Sequence, residues 1–378
     1  MNSIENTVSE ISPLVKNQVS DWLEPVNKEE YNKTMEKFEK FVARKYIFIV
    51  ICIIACFAAV GLSLGFGTYP ISFLDTYKTI WDHLTGNVTD IVKDIVVVRD
   101  RLPRACVGVL AGAGLAVAGA AMQSIMKNPL AEPYTTGVSS GAIFGASLSI
   151  VFGWELFGGD YALVGNAFVF SLIPVFFILV ISKLKNASPT TMIMGGIAIM
   201  YIFNAMTTVI RLWAEPDSLS NLYAWEVGTL TYAKWQNLEI MFPLTVFGIA
   251  VIWILSKQLN VLATGDENAR TLGVDADKLR IIMLIIIAFM TAGIVSYVGL
   301  IGFVGLVAPH VVRMVIGADN RFLIPACIAF GAAVLVIADL VGKTIIAPAT
   351  IQVGVIMAFL GGPMFIWLIV RKNTKVWG

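Results

Sequence analysis

RDRLPRACVGVLAGAGLAVAGAAMQSIMKNPLAEPYTTGVSSGAIFGASL, residues 99–148, decides how the chain is read. Three arginines, Arg99, Arg101 and Arg104, stand at the mouth of an apolar run that lasts to Met126. The run is long enough to cross a bilayer, which takes about 20 apolar residues in a helix. Gly108, Gly112, Gly114, Ala116 and Gly119 stud it. A polar hinge, Lys127 to Pro133, leads to a second apolar run that opens with Gly137, Gly141 and Gly145 at i, i+4 and i+8. Small residues at this spacing let helix backbones approach closely in lipid, where no hydrophobic force drives helices together. The stretch is therefore read as a tightly packed membrane hairpin. Packing accounts for the glycines, but not for the arginine–proline mouth or the KNPLAEP hinge.

Composition agrees with a membrane protein. Of 378 residues, 57% are hydrophobic and 14% charged, whereas soluble domains sit near half apolar and a quarter charged. The net charge of +1 argues against nucleic acid as a partner. Cys52, Cys56, Cys106 and Cys327 all lie in apolar runs with no metal or disulfide spacing and read as small hydrophobes. His83 and His310 alone cannot build a haem or zinc site. No catalytic constellation, metal site or cofactor is expected.

Read in order, the chain opens with a polar extension, residues 1–44. Its segment Lys28 to Arg44 mixes charges with Phe38, Phe41 and Val42, and reads either as an amphipathic surface helix or as a solvated tail. The first apolar run comes too late and is too long for a signal peptide. Ten spans are expected in residues 45–372, beginning near residues 46, 105, 137, 161, 190, 238, 281, 303, 322 and 353, and a tail of residues 373–378 follows. Between the first two spans, Phe73 to Leu84 is expected to form an amphipathic helix. Residues 213–235 are polar, with Trp213, Trp225 and Trp235 at headgroup level.

The order and spacing of RLPR, a Gly/Ala run ending in Met122-Gln123, NPLAEP with Asn128 and Pro129, and GVSSGA with Gly137 and Gly141 resemble the FecCD-type permeases of ABC importers for iron-siderophores, haem and cobalamin. The resemblance implies an all-α, ten-helix membrane permease of the type II ABC importer kind. Implied partners are ATP-hydrolysing subunits, an extracytoplasmic substrate-binding protein and a second permease copy or paralogue. The resemblance also implies a metal chelate as substrate and a central path lined by the span at residues 190–212.

Three further segments match the family. Gly265, Asp266, Glu267, Ala269, Arg270, Leu272 and Gly273 fall in a short capped helix after the sixth span and resemble the segment that seats on the ATPase subunit. An ordinary loop is the alternative. Arg101, Arg104 and Lys343 match positions that contact acidic residues of the binding protein, with headgroup anchoring as the alternative, and Asp339 sits where it could pair with Lys343. The run GLIGFVGLVAPH, with Gly302, Pro309 and His310, matches a structural motif of the family. Departures are Leu300, Lys343, Thr350 and Gln352, where the family more often has proline, arginine, glutamate and proline.

An even number of spans puts both termini on one side. With the N-terminus inside, inner segments carry 19 of the 27 Lys and Arg, and 14 against 8 once residues 1–43 are set aside. The expected arrangement is thus a multi-pass cell-membrane protein with cytoplasmic termini. A secondary transporter would need intramembrane carboxylates, and the second, third, fourth, fifth, seventh and tenth spans carry no charge in their central portions, while Asp339 lies at the end of the ninth. No GxxxxGK[ST] loop is present, so ATP is expected to be hydrolysed by a partner subunit.

Overall fold

The computed structural model describes residues 28–370 apart from Thr68, Asn186 and Ala187. Residues 1–27 of the extension, and Arg371, Lys372 and the tail 373–378, lie outside the described residues. All described secondary structure is helical. Helix α1 spans Lys28–Gly65, so the charged segment 28–44 is helical. Lys28–Ile47 forms a compact unit of its own, with an exposed Glu36–Lys40 pair one turn apart and the Lys45 ammonium 4.5 Å from the Phe41 ring centre.

The second unit starts at Phe48. Helix α2 (Phe73–Leu84) is capped by Ser72, whose hydroxyl accepts from the Asp75 amide, and it has the expected bounds. A short α3 (Ile91–Asp94) runs through a π-helical turn, Ile95–Arg101, into α4 (Leu102–Met126). The arginine mouth therefore lies inside one helical segment, residues 91–126, rather than at its start. Pro103 gives the reason: without an N–H it cannot continue the α ladder, and the Leu102 amide reaches back five residues to the Val97 carbonyl. The loosened turn leaves the Val98 carbonyl to accept from the Trp235 indole at 2.9 Å.

Then follow α5 (Val138–Phe152), α6 (Ala162–Lys185), α7 (Pro189–Leu212), α8 (Pro216–Glu226), α9 (Trp235–Ile254), α10 (Ser256–Ala263), α11 (Asp266–Thr271), α12 (Ala276–Val298), α13 (Val304–Ile316), α14 (Asn320–Thr344) and α15 (Val353–Val370). Seven helices among the described residues are long and apolar enough to cross a membrane. With the shorter apolar segments Val138–Phe152, Val304–Ile316 and Val353–Trp367 they make up the ten expected. Helix α8 was not expected; its signal is Pro216 in the first turn.

Helix α4 is the axis of the bundle, buried along nearly its whole length. Its small residues admit neighbouring backbones. A Cβ at Gly119 would fall on the Gly305 carbonyl of α13, and one at Gly141 of α5 on the Phe170 carbonyl of α6. Burying charge-free, side-chain-poor surfaces at such range replaces the missing hydrophobic force with dispersion contacts. From Phe48 onward, Cys52, Ala59, Ser63, Leu64 and Gly65 of α1 are buried, while Ile51, Ile54 and Phe57 are exposed.

Candidate functional site

The two ends of the bundle hold the charged groups. At one end α4 stops at Lys127, which adopts the left-handed conformation (φ 49°, ψ 35°). Asn128 then folds the hinge: its carboxamide oxygen accepts from the Leu130 amide at 3.0 Å and its carbonyl from the Ala131 amide at 3.1 Å. Pro129 follows in this turn, and a 3-10 turn, Pro133–Thr136, brings the chain to Gly137 (φ 81°) and α5. Burial pushes the Glu132 carboxyl in this hinge up to about 7.

At the same end α11 is anchored on one side and open on the other. Ala269 is fully buried, and its carbonyl accepts from the Val274 amide at 2.8 Å, closing the helix around Gly273 (φ 79°). Glu267, Arg270, Leu272 and Gly273 are exposed, Leu272 by 66%. Asp266 ties the helix down. Its Oδ1 accepts from Lys127 Nζ and, at 2.5 Å, from Arg280 Nη2. Arg280 is wholly buried and also donates from Nε to the Ile125 carbonyl at 3.1 Å. Burial alone would raise the Asp266 carboxyl; the hydrogen bonds from Arg280 and Lys127 outweigh it and hold the group below the usual carboxylate range. The sequence reading singled out Asp266 but not its partners. Lys127 had a signal, being the one charge between Arg104 and Glu132.

At the other end Arg101, Arg104 and Lys343 are engaged inside the chain. Arg101 is buried and donates to the carbonyls of Leu64 (2.9 Å) and Tyr69 (2.6 Å). Arg104 grips Asp339 through Nε and Nη2 at 2.8–3.1 Å. Lys343, also buried, donates to the Ser63 hydroxyl (2.8 Å) and carbonyl (3.1 Å) and lies 3.6 Å from Asp339. The Asp339–Lys343 pairing that the sequence allowed is present, and a guanidinium among apolar helices is stable only when paired. Arg99 is exposed.

Pro309 is buried and His310 half-buried in α13, while Gly302, just before this helix, borders open space. Among the described residues no group of three His, Cys, Asp or Glu could hold a metal ion. Helix α7 is two-faced. Met192, Gly196, Ile199, Phe203, Thr207 and Ile210 face inward, whereas Ile197, Tyr201, Asn204 and Thr208 are exposed.

The bundle matches a metal-chelate type ABC transporter solved in an inward-facing conformation, with a TM-score of 0.75 and 27% identity, over 85% of this chain and 98% of that one. Its class is that of the membrane permeases of ABC importers. The model of the FecCD transport family matches residues 51–371, and the chain belongs to that family. It is 37% identical over 283 residues to the cobalamin import system permease protein BtuC of Halobacterium salinarum, covering 74% of this chain and 75% of that protein. It is 34% identical over 319 residues to the hemin transport system permease protein HmuU of Yersinia pestis, covering 83% and 92%.

Proposed function

We propose that this permease subunit imports a metal chelate of the iron-siderophore class, driven by separate ATPase subunits that seat on α11. The observation that carries the reading is the exposed surface of Glu267 and Arg270 on α11 and of Leu272 and Gly273 just past its end, held from behind by Ala269 and Asp266. A large apolar side chain as open as Leu272 among charged neighbours suits the buried centre of a protein interface with a polar rim. Both termini and this face are cytoplasmic in this reading, consistent with the excess of Lys and Arg on that side. A second permease copy covers the exposed stripe of α7, and the central path runs along it. Asn204 supports this, because an exposed carboxamide is costly against hydrocarbon and suits a wet path. A substrate-binding protein docks at the opposite end, where Arg101, Arg104 and Lys343 fix the rim from within rather than meeting it.

The test is Leu272→Asp, which leaves the buried side of α11 untouched. Co-purification of the ATPase subunits and uptake of radioactive iron-siderophore should both be lost while the permease remains in the membrane. Retained co-purification would refute the seat. Uptake of haem or cobalamin in place of iron-siderophore by the unmodified permease would reassign the cargo.

A further inference from the structure

Nine residues separate two contacts that bind the hinge to opposite parts of the molecule. The first is the salt link at Lys127, whose ammonium and the Arg280 guanidinium share Oδ1 of Asp266, the first residue of α11. The second lies at residues 135–136. There the Thr135 carbonyl occupies the space a side chain at Gly196 of α7 would need, 2.5 Å from an added Cβ, with Thr136 Cα at 3.1 Å. Between them the chain has little slack. The Asn128 turn takes up residues 128–131, and Pro133–Thr136 is a 3-10 turn whose Thr135 and Thr136 hydroxyls donate to the Glu132 and Pro133 carbonyls at 2.7 Å each. Tyr134 adds a hydroxyl donation to the Ile301 carbonyl at 3.2 Å.

The geometry points to Lys127 as the positioning residue that passes displacement of α11 through the 127–136 hinge to Gly196, and so turns or shifts α7. Arg280 performs the complementary task. Being wholly buried and bonded to the Ile125 carbonyl, it fixes the end of α4, so that the hinge rather than α4 takes up movement of Asp266. A charge-assisted bond of this kind carries force over a short distance because it has direction and is only partly exposed. Coupling between sites needs such a discrete physical link, and the test is whether removing the link removes the coupling. This inference rests on the reading that α11 seats the ATPase.

The experiment uses the full permease with its ATPase subunits in lipid nanodiscs, with Cys52, Cys56, Cys106 and Cys327 replaced by alanine and Asn204→Cys as reporter. The rate of modification of that cysteine by a charged thiol reagent is compared with and without ATP and vanadate. With Lys127 intact, nucleotide should change the rate severalfold. In Lys127→Met the ratio should fall to unity while the ATPase subunits remain bound and hydrolyse ATP, and Lys127→Arg should restore it. Gly196→Ala, at the receiving contact, should also flatten the response. An unchanged ratio in Lys127→Met with the complex intact would overturn the inference. Loss of ATPase binding in Lys127→Met would also count against it, because Lys127 would then be shaping the seat. Failure of the seat itself shows separately, as co-purification that survives Leu272→Asp.

Discussion

Arg104 and Asp339, 235 residues apart in sequence, form a two-nitrogen guanidinium–carboxylate pair at 2.8–3.1 Å in the interior, and Lys343 approaches the same carboxylate at 3.6 Å. The cluster joins α4 to α14, and through Ser63 to α1. Breaking a buried pair from one side costs about 3–5 kcal/mol, whereas replacing both members with apolar groups can be nearly neutral. Arg104→Leu should therefore lower the thermal unfolding midpoint in detergent by several degrees, softened by Lys343, and Arg104→Leu with Asp339→Leu should recover most of the loss. A single variant as stable as the parent would show that the pair contributes nothing.

Helix contacts through glycine make a sharper prediction. Gly119→Ala places a Cβ on the Gly305 carbonyl, backbone against backbone, with no flexible side chain to yield. Folded protein recovered from membranes should fall strongly, as judged by monodisperse elution in detergent. Gly302→Ala, which meets no atom within 4 Å, should be recovered at parental yield.

Gly273 tests the seat by conformation alone. Its φ of 79° suits glycine and is tolerated by asparagine, but opposes a β-branched side chain. An added Cβ meets nothing there, so Gly273→Val should act by unwinding the end of α11. Uptake and ATPase co-purification should both fall in Gly273→Val and largely survive in Gly273→Asn.

Glu132 gives the hinge a pH dependence. Its ordinary value is 4.5, and burial raises it to about 7 in the fold. The folded state therefore holds its proton over a range where the unfolded chain has released it, and stability falls as pH rises from 4.5 to about 7. In unfolding midpoints measured across that window, Glu132→Gln should remove this part of the slope. Asp266 behaves in the opposite sense: its carboxyl is held low, so its contribution is present throughout this window and is lost only on further acidification.

Sidedness can be read directly. Asn268→Cys, on the exposed part of α11, should resist an impermeant thiol reagent in intact cells and react once the membrane is opened. Ready labelling in intact cells would invert the arrangement.

Much of this was legible in the sequence because hydrophobic periodicity and glycine spacing report on faces. The bounds of α2 and the start of α15 were read to the residue, and the glycine hairpin acquired the close approaches its spacing implied. The charged residues were harder. Of the partners of Arg101, Arg104 and Lys343, only the Asp339–Lys343 pairing was legible; the carbonyls of Leu64 and Tyr69, the Arg104–Asp339 pair and Ser63 lie far off in sequence or on the backbone. A pattern along one chain segment does not show which remote oxygen a cation will find. The π-turn before Pro103 and the sharing of Asp266 by Lys127 and Arg280 were hidden for the same reason.

The two-faced α7 also bears on how the subunit is made. Synthesised alone, it would expose the Asn204 carboxamide to the acyl chains, the kind of misplaced polarity that membrane quality-control proteases recognise. If a second permease copy covers that stripe, as proposed, overproduction without its partners should yield a short-lived protein rather than an inactive one.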